Sequence, residues 1–135
     1  MKQFEYTKSS SSIFGDVKRP LMTIRIYSNI KKIWIPVYET LLDTGADISI
    51  IPKYLGKLIA DDISSGKEIK IKGVVPYCEL TAYIHNLKIQ IINKEFEIPF
   101  AIADSDRVLA VLGRVKALDL FDIEFKKGDL IIFKD

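Results

Sequence analysis

From Leu21 onward the chain is written in short runs rich in β-branched and aromatic residues, separated by polar turns. That pattern suits a small β-barrel or sandwich and little else. Residues 22–27 alternate apolar and polar side chains, and residues 33–38 follow after the polar stretch 28–32, so the two read as a hairpin. Further strands are expected at 68–75, 80–84, 87–92, 95–103 and 108–112, with Asn93-Lys94 closing a tight turn because asparagine tolerates positive φ. A last pair, 123–125 and 130–133, flanks Lys126-Lys127-Gly128-Asp129, where glycine suits a bulged turn. Two segments read as short helices: 52–59, with Pro52 in its first turn, and 114–121, just after Gly113. No internal repeat is visible, and the expected class is all-β.

A chain of 135 residues suits one domain with one core. Its 48% hydrophobic and 28% charged residues are ordinary for a soluble globular protein, and no apolar run reaches the length of a membrane span. Residues 1–18 stand apart, because Ser9 to Ser12 offer nothing to bury and Gly15-Asp16 reads as a turn. A flexible N-terminal arm is therefore expected over 1–18 and the folded domain over 19–135. The first residues lack the apolar core and cleavage site of a secretory signal, and the single cysteine, Cys78, cannot form an internal disulfide. Both point to a reducing, cytoplasmic location. The 20 basic and 18 acidic residues are interspersed, which argues against a nucleic-acid face. The only histidine, His85, reads as a strand-end surface residue, and with no Cys or His cluster neither a metal nor a cofactor is expected.

The feature that carries chemistry is Leu41-Leu42-Asp43-Thr44-Gly45-Ala46-Asp47. A carboxylate here would sit in a tight turn at the end of a buried strand, with glycine letting the backbone reverse and come close to a second copy. Peptide hydrolysis by paired carboxylates needs two of them sharing one proton, one activating water and the other polarising the scissile carbonyl. The chain has only one such motif, since Asp104-Ser105-Asp106 lacks the glycine and reads as a polar loop. The partner carboxylate would then be Asp43 of another subunit across a two-fold axis, making dimerisation part of catalysis.

In these residues the chain resembles the retropepsin-like, retroviral-type aspartic peptidase family. Arg19-Pro20-Leu21-Met22-Thr23-Ile24-Arg25-Ile26 is similar to the opening segment of the lentiviral enzymes, 41–47 to their catalytic loop, and Val111-Leu112-Gly113-Arg114 to their late apolar-apolar-Gly-Arg signature. The resemblance implies a single-domain closed β-barrel with a flap hairpin and one or two short helices, active as a two-fold homodimer on peptide or unfolded protein substrates. It implies catalytic roles for Asp43, Thr44 and Gly45, with the Thr44 hydroxyl gripping the partner's backbone beneath the dyad. Gly45, Ala46 and Asp47 would lie along the bound peptide. Arg114 would pair with Asp47, and Arg19 would reach the same carboxylate across the dimer, since a guanidinium can fix a carboxylate-bearing loop in bidentate geometry.

The flap is expected within 70–84, where Gly73, Val74 and Val75 would contact substrate. Here the sequence departs from the viral pattern: Val74-Val75-Pro76-Tyr77-Cys78-Glu79 has no further glycine. The chain also continues past the expected last helix into Leu130-Ile131-Ile132-Phe133, and the C-terminal strands are expected to carry much of the dimer interface, since an exposed apolar edge needs covering. Two other readings compete with an active endopeptidase. One is a catalytically silent retropepsin-fold module for peptide binding or dimerisation, and the other an unrelated barrel in which Arg19, Asp47 and Arg114 lie far apart.

Overall fold

The computed structural model describes residues 1–73 and 77–134. The described residues form twelve strands, one α-helix and two short 3-10 turns. The strands are β1 (Lys2–Glu5), β2 (Thr7–Ser11), β3 (Gly15–Arg19), β4 (Leu21–Ser28), β5 (Ile33–Leu42), β6 (Ser49–Ile51), β7 (Lys67–Lys72), β8 (Glu79–Ile91), β9 (Lys94–Ala103), β10 (Val111–Leu112), β11 (Asp122–Lys126) and β12 (Leu130–Lys134). The helix, α1 (Lys53–Ile59), follows β6.

The main sheet runs β4-β5-β10-β6-β9-β8 and closes on itself where β4 pairs with β8 at Arg25 opposite Gln90 and Ile26 opposite Ile89. The result is the closed barrel expected, with β7 added outside β8. Alternation explains it: Met22, Ile24 and Ile26 of β4 are buried while Thr23 and Arg25 are exposed, and Ile35 and Val37 meet them from β5. In β9 both faces are covered from Phe100 to Ala103. One reason is α1, whose Leu55 and Ile59, one turn apart, are buried. Gly56 lets the helix approach so closely that an added Cβ would clash with the Ile102 side chain.

Several turns differ in register from expectation. The β8–β9 turn is Ile92-Asn93, with φ of 48° and 63°, one residue earlier than Asn93-Lys94. That left-handed pair matches the twist of the flanking strands, even at the expense of placing a β-branched residue there. The expected strands 80–84 and 87–92 are one continuous strand, β8. Helix α1 starts at Lys53 with Pro52 as its cap rather than in its first turn. The second expected helix, 114–121, forms as a turn followed by a 3-10 segment at Leu118–Leu120. The cause is Lys116 at φ 58°, a left-handed residue that no α-helix continues through, so that Leu118 N–H returns to the Gly113 carbonyl at 3.0 Å.

The serine-rich start is written in strands rather than as a loose arm. β1 pairs with β12 from Lys2 opposite Phe133 to Glu5 opposite Leu130, and β2 pairs with β3 as a separate hairpin. Phe4 packs edge-on against Phe133 at 5.9 Å, and Phe121 joins the same ring at 5.3 Å, which ties β1 to the main core. The open apolar edge expected at 130–133 is not there. β12 has β1 on one side and β11 on the other, and Ile131, Ile132 and Phe133 are buried, so it offers no open apolar edge.

Candidate active site

The site is built where β5 ends. β10 lies parallel to β5, with Val111 opposite Leu41 and Leu112 opposite Leu42, and antiparallel to β6, with Val111 opposite Ile50. The loop 43–48 leaves β5 and returns as β6, so β10 clamps both of its stems. Leu41 N–H donates to the Ala110 carbonyl at 2.9 Å and Asp43 N–H to the Leu112 carbonyl at 3.0 Å. On the other side Leu42 N–H donates to the Pro20 carbonyl at 3.0 Å. These bonds fix the backbone of Asp43 before its side chain is considered.

The carboxylate is then aimed by the turn that follows. Gly45 N–H donates to Asp43 Oδ1 at 2.9 Å, and Ala46 N–H to the Asp43 carbonyl at 3.2 Å. A Cβ on Gly45 would stand 3.3 Å from the same Oδ1, so glycine also keeps that oxygen uncrowded. Asp43 is half-buried, whereas Thr44 and Gly45 are exposed, and the Thr44 hydroxyl has no hydrogen bond among the described residues. The groove lined by Tyr38, Tyr54, Leu109 and Ala110, about 400 Å³ in volume, does not take in Asp43.

Asp47 and Arg114 meet as the sequence suggested. Arg114 Nη2 donates to Asp47 Oδ1 at 2.9 Å, and its Nη1 lies 4.0 Å from Asp119 Oδ2. The hydrogen bond to Asp47, then the charges of Asp119 and Asp47, push the Arg114 guanidinium above its already high pKa, so it stays cationic. An exposed ion pair contributes little stability alone. Its use is registry, because the backbone is zipped beside it: Arg114 N–H donates to the Ala46 carbonyl at 2.9 Å and Val115 N–H to the Asp47 carbonyl at 3.1 Å.

Arg19 ends β3, one residue before Pro20, and has no carboxylate partner among the described residues. The unrelated-barrel reading fails on the Asp47–Arg114 half of its expectation. The acidic pair at 104–106 is engaged elsewhere, with Asp104 paired to Lys53 at 3.0 Å. The hairpin expected as the flap is present as β7 and the first half of β8, where Gly73 N–H donates to the Cys78 carbonyl at 3.0 Å and Tyr77 stands fully exposed at φ 70°. Gly73 is exposed, and Val74 and Val75 lie outside the described residues. His85 is part-buried rather than a surface residue, its Nε2 2.7 Å from the Ile63 carbonyl.

Ser49 is the residue that sequence reasoning missed. It is buried, and its Oγ accepts the Gly113 N–H at 2.9 Å, joining β6 to the residue before Arg114. A lone hydroxyl inside the apolar run Ile48-Ser49-Ile50-Ile51 was the available signal, since a buried polar group needs a partner. Asp119, the second carboxylate near Arg114, had no signal of its own. Among the described residues no group of three or more His, Cys, Asp or Glu side chains is arranged to hold a metal, and no helix is long and apolar enough to cross a membrane.

Comparison with known proteins gives the family and the fold. Residues 16–119 match the family model described as retroviral aspartyl protease. The fold is similar to that of a retropepsin-like aspartic protease from Rickettsia conorii, with a TM-score of 0.63 and 18% identity over 98% of this chain and 99% of that one. It also matches the EIAV protease complexed with the inhibitor HBY-793, with a TM-score of 0.48 and 19% identity over 78% of this chain and 88% of that one. No curated protein matches the chain.

Proposed function

Because the chain belongs to the retroviral aspartyl protease family, we propose that it is an aspartic endopeptidase whose catalytic pair is Asp43 of two chains in a homodimer. The observation that carries this reading is the state of Asp43 itself. It is an Asp-Thr-Gly carboxylate, locked in backbone and oriented by Gly45 N–H, at the open end of a clamped strand with an unengaged Thr44 beside it. Such precision at an exposed loop is what a second copy would complete.

In the proposed dyad the two carboxylates hold one proton between them, because like charges so close cannot both ionise. The ionised one takes a proton from water as the oxygen attacks the scissile carbonyl carbon. The protonated one gives its proton to the carbonyl oxygen, forming a neutral tetrahedral diol. Collapse of the diol returns a proton from one of its hydroxyls to the dyad, while the amine leaves with the proton that the dyad took from water. The substrate would be an extended peptide or unfolded segment lying as an added strand along Gly45, Ala46 and Asp47, under the hairpin that bears Gly73, Val74 and Val75. In this reading the Thr44 hydroxyl grips the partner's backbone and Arg19 reaches the partner's half-used Asp47.

The test is a dilution series on the full chain, following cleavage of a denatured protein at mildly acidic pH and the dimer fraction by sedimentation in the same samples. Activity per chain is expected to track the dimer fraction. Cleavage that persists undiminished where the chain sediments as a monomer would sink the intersubunit site.

A further inference from the structure

The β2–β3 hairpin stands apart from the barrel sheet and presents an apolar tip. Among the described residues it forms a two-stranded sheet of its own, from Thr7 opposite Arg19 to Ser11 opposite Gly15. Isolated hairpins of this kind are marginal in water. Yet its turn is well made: Ser11 Oγ accepts the N–H groups of Ile13 and Phe14, each at 3.2 Å, and Gly15 takes φ +72°. What that turn presents is apolar, with Ile13 79% and Phe14 77% exposed. The body holds the hairpin near its base, through Lys18 to Asp129 at 2.9 Å and through Tyr6 N–H to the Asp129 carbonyl at 2.8 Å.

The base of the hairpin also points to the occupant. Arg19 has no carboxylate partner among the described residues, and the carbonyl of the next residue, Pro20, accepts the N–H of Leu42 beside Asp43. Asp47 uses Oδ1 for Arg114 while its side chain stays 81% exposed, leaving the other oxygen for a second guanidinium. Val115, whose N–H donates to the Asp47 carbonyl at 3.1 Å, and Leu120, next to Asp119, are exposed apolar side chains. Both sides of β12 are already filled within the chain, so this strand has no free edge to give a partner.

We propose that the β2–β3 hairpin is an intersubunit arm, which lays the Ile13-Phe14 tip on the apolar surface beside the partner's Asp47–Arg114 pair once Arg19 engages it. The proposal rests on the homodimer reading above. Four residue steps of about 3.3 Å separate Arg19 from Gly15, so the tip stands roughly 13 Å or more from Arg19 and would meet a surface beside the ion pair rather than the pair itself. Charge at the base would set the register and apolar burial at the tip would hold it.

The test compares the wild-type chain with Ile13→Ser/Phe14→Ser and with the conservative pair Ile13→Val/Phe14→Leu, measuring the dimer dissociation constant by sedimentation. The serine pair is expected to weaken the dimer by roughly tenfold or more, with the melting temperature of the dilute monomer unmoved, and the conservative pair to restore most of the affinity. A serine pair that dimerises like a dimeric wild type overturns the arm and leaves the dyad untouched. A wild-type chain that stays monomeric throughout overturns the dimer reading and the arm with it.

Discussion

Replacing Asp43 by Asn is expected to lower kcat for peptide hydrolysis by about a thousandfold or more, while the melting temperature stays within a few degrees of wild type. The side chains are nearly identical in shape, and the amide oxygen of Asn can still accept the Gly45 N–H that Asp43 Oδ1 takes at 2.9 Å. The backbone bond from Asp43 N–H to the Leu112 carbonyl is untouched. What Asn cannot do is take a proton from water or share one with a second carboxylate. Loss should therefore fall on kcat and spare KM if neighbouring groups hold the peptide backbone as proposed. A fluorogenic peptide assay together with thermal melts checks both halves, and activity surviving at wild-type level would remove Asp43 from the mechanism.

The second large effect is expected at a residue with no chemistry. In Gly113→Ala the new Cβ would stand 2.6 Å from the Ile48 carbonyl oxygen, 2.7 Å from its carbon and 2.9 Å from the Ala46 oxygen. All three are backbone atoms of the loop that carries Asp43 and Asp47, so no side chain can swing aside. Relief requires moving β10 away from that loop, which breaks the Gly113 N–H bond to Ser49 Oγ or the Arg114 N–H bond to the Ala46 carbonyl. Overpacking of this kind costs about 1–3 kcal/mol, and a melting temperature lower by roughly 5–10 °C is expected. Below that temperature kcat should also fall, because the displaced loop misaims Asp43. A melt unchanged from wild type would mean that β10 and the loop are less tightly joined than the hydrogen bonds indicate.

The barrel was legible in the sequence because its signal is local and repeated. Met22, Ile24 and Ile26 alternate with Thr23 and Arg25, and such a strand has one buried face wherever it pairs. The loop that bears Asp43 was legible for a different reason: Asp43, Gly45 and Ala46 interact within one turn, so a short motif carries its own geometry. Features decided by distant partners were not legible. Polar residues 1–18 read as an arm because nothing in them calls for burial, yet β1 exists through its pairing with β12, more than a hundred residues away. The helical pattern at 114–121 is real, but Gly113 and Arg114 are held by Ser49 and Ala46, and the segment folds around those anchors with Lys116 left-handed. Ser49 shows the same limit, since its sequence neighbours give no hint that its hydroxyl meets Gly113.

One active site made by two copies of Asp43 is tested most directly by mixing subunits. Wild-type and Asp43→Asn chains would be combined in equal amounts at fixed total concentration, left to exchange subunits, and assayed against wild type alone. Random pairing leaves about one quarter of the dimers with two aspartates, so activity near one quarter is the result expected. Activity near one half, the value for chains that each carry a complete site, would contradict it.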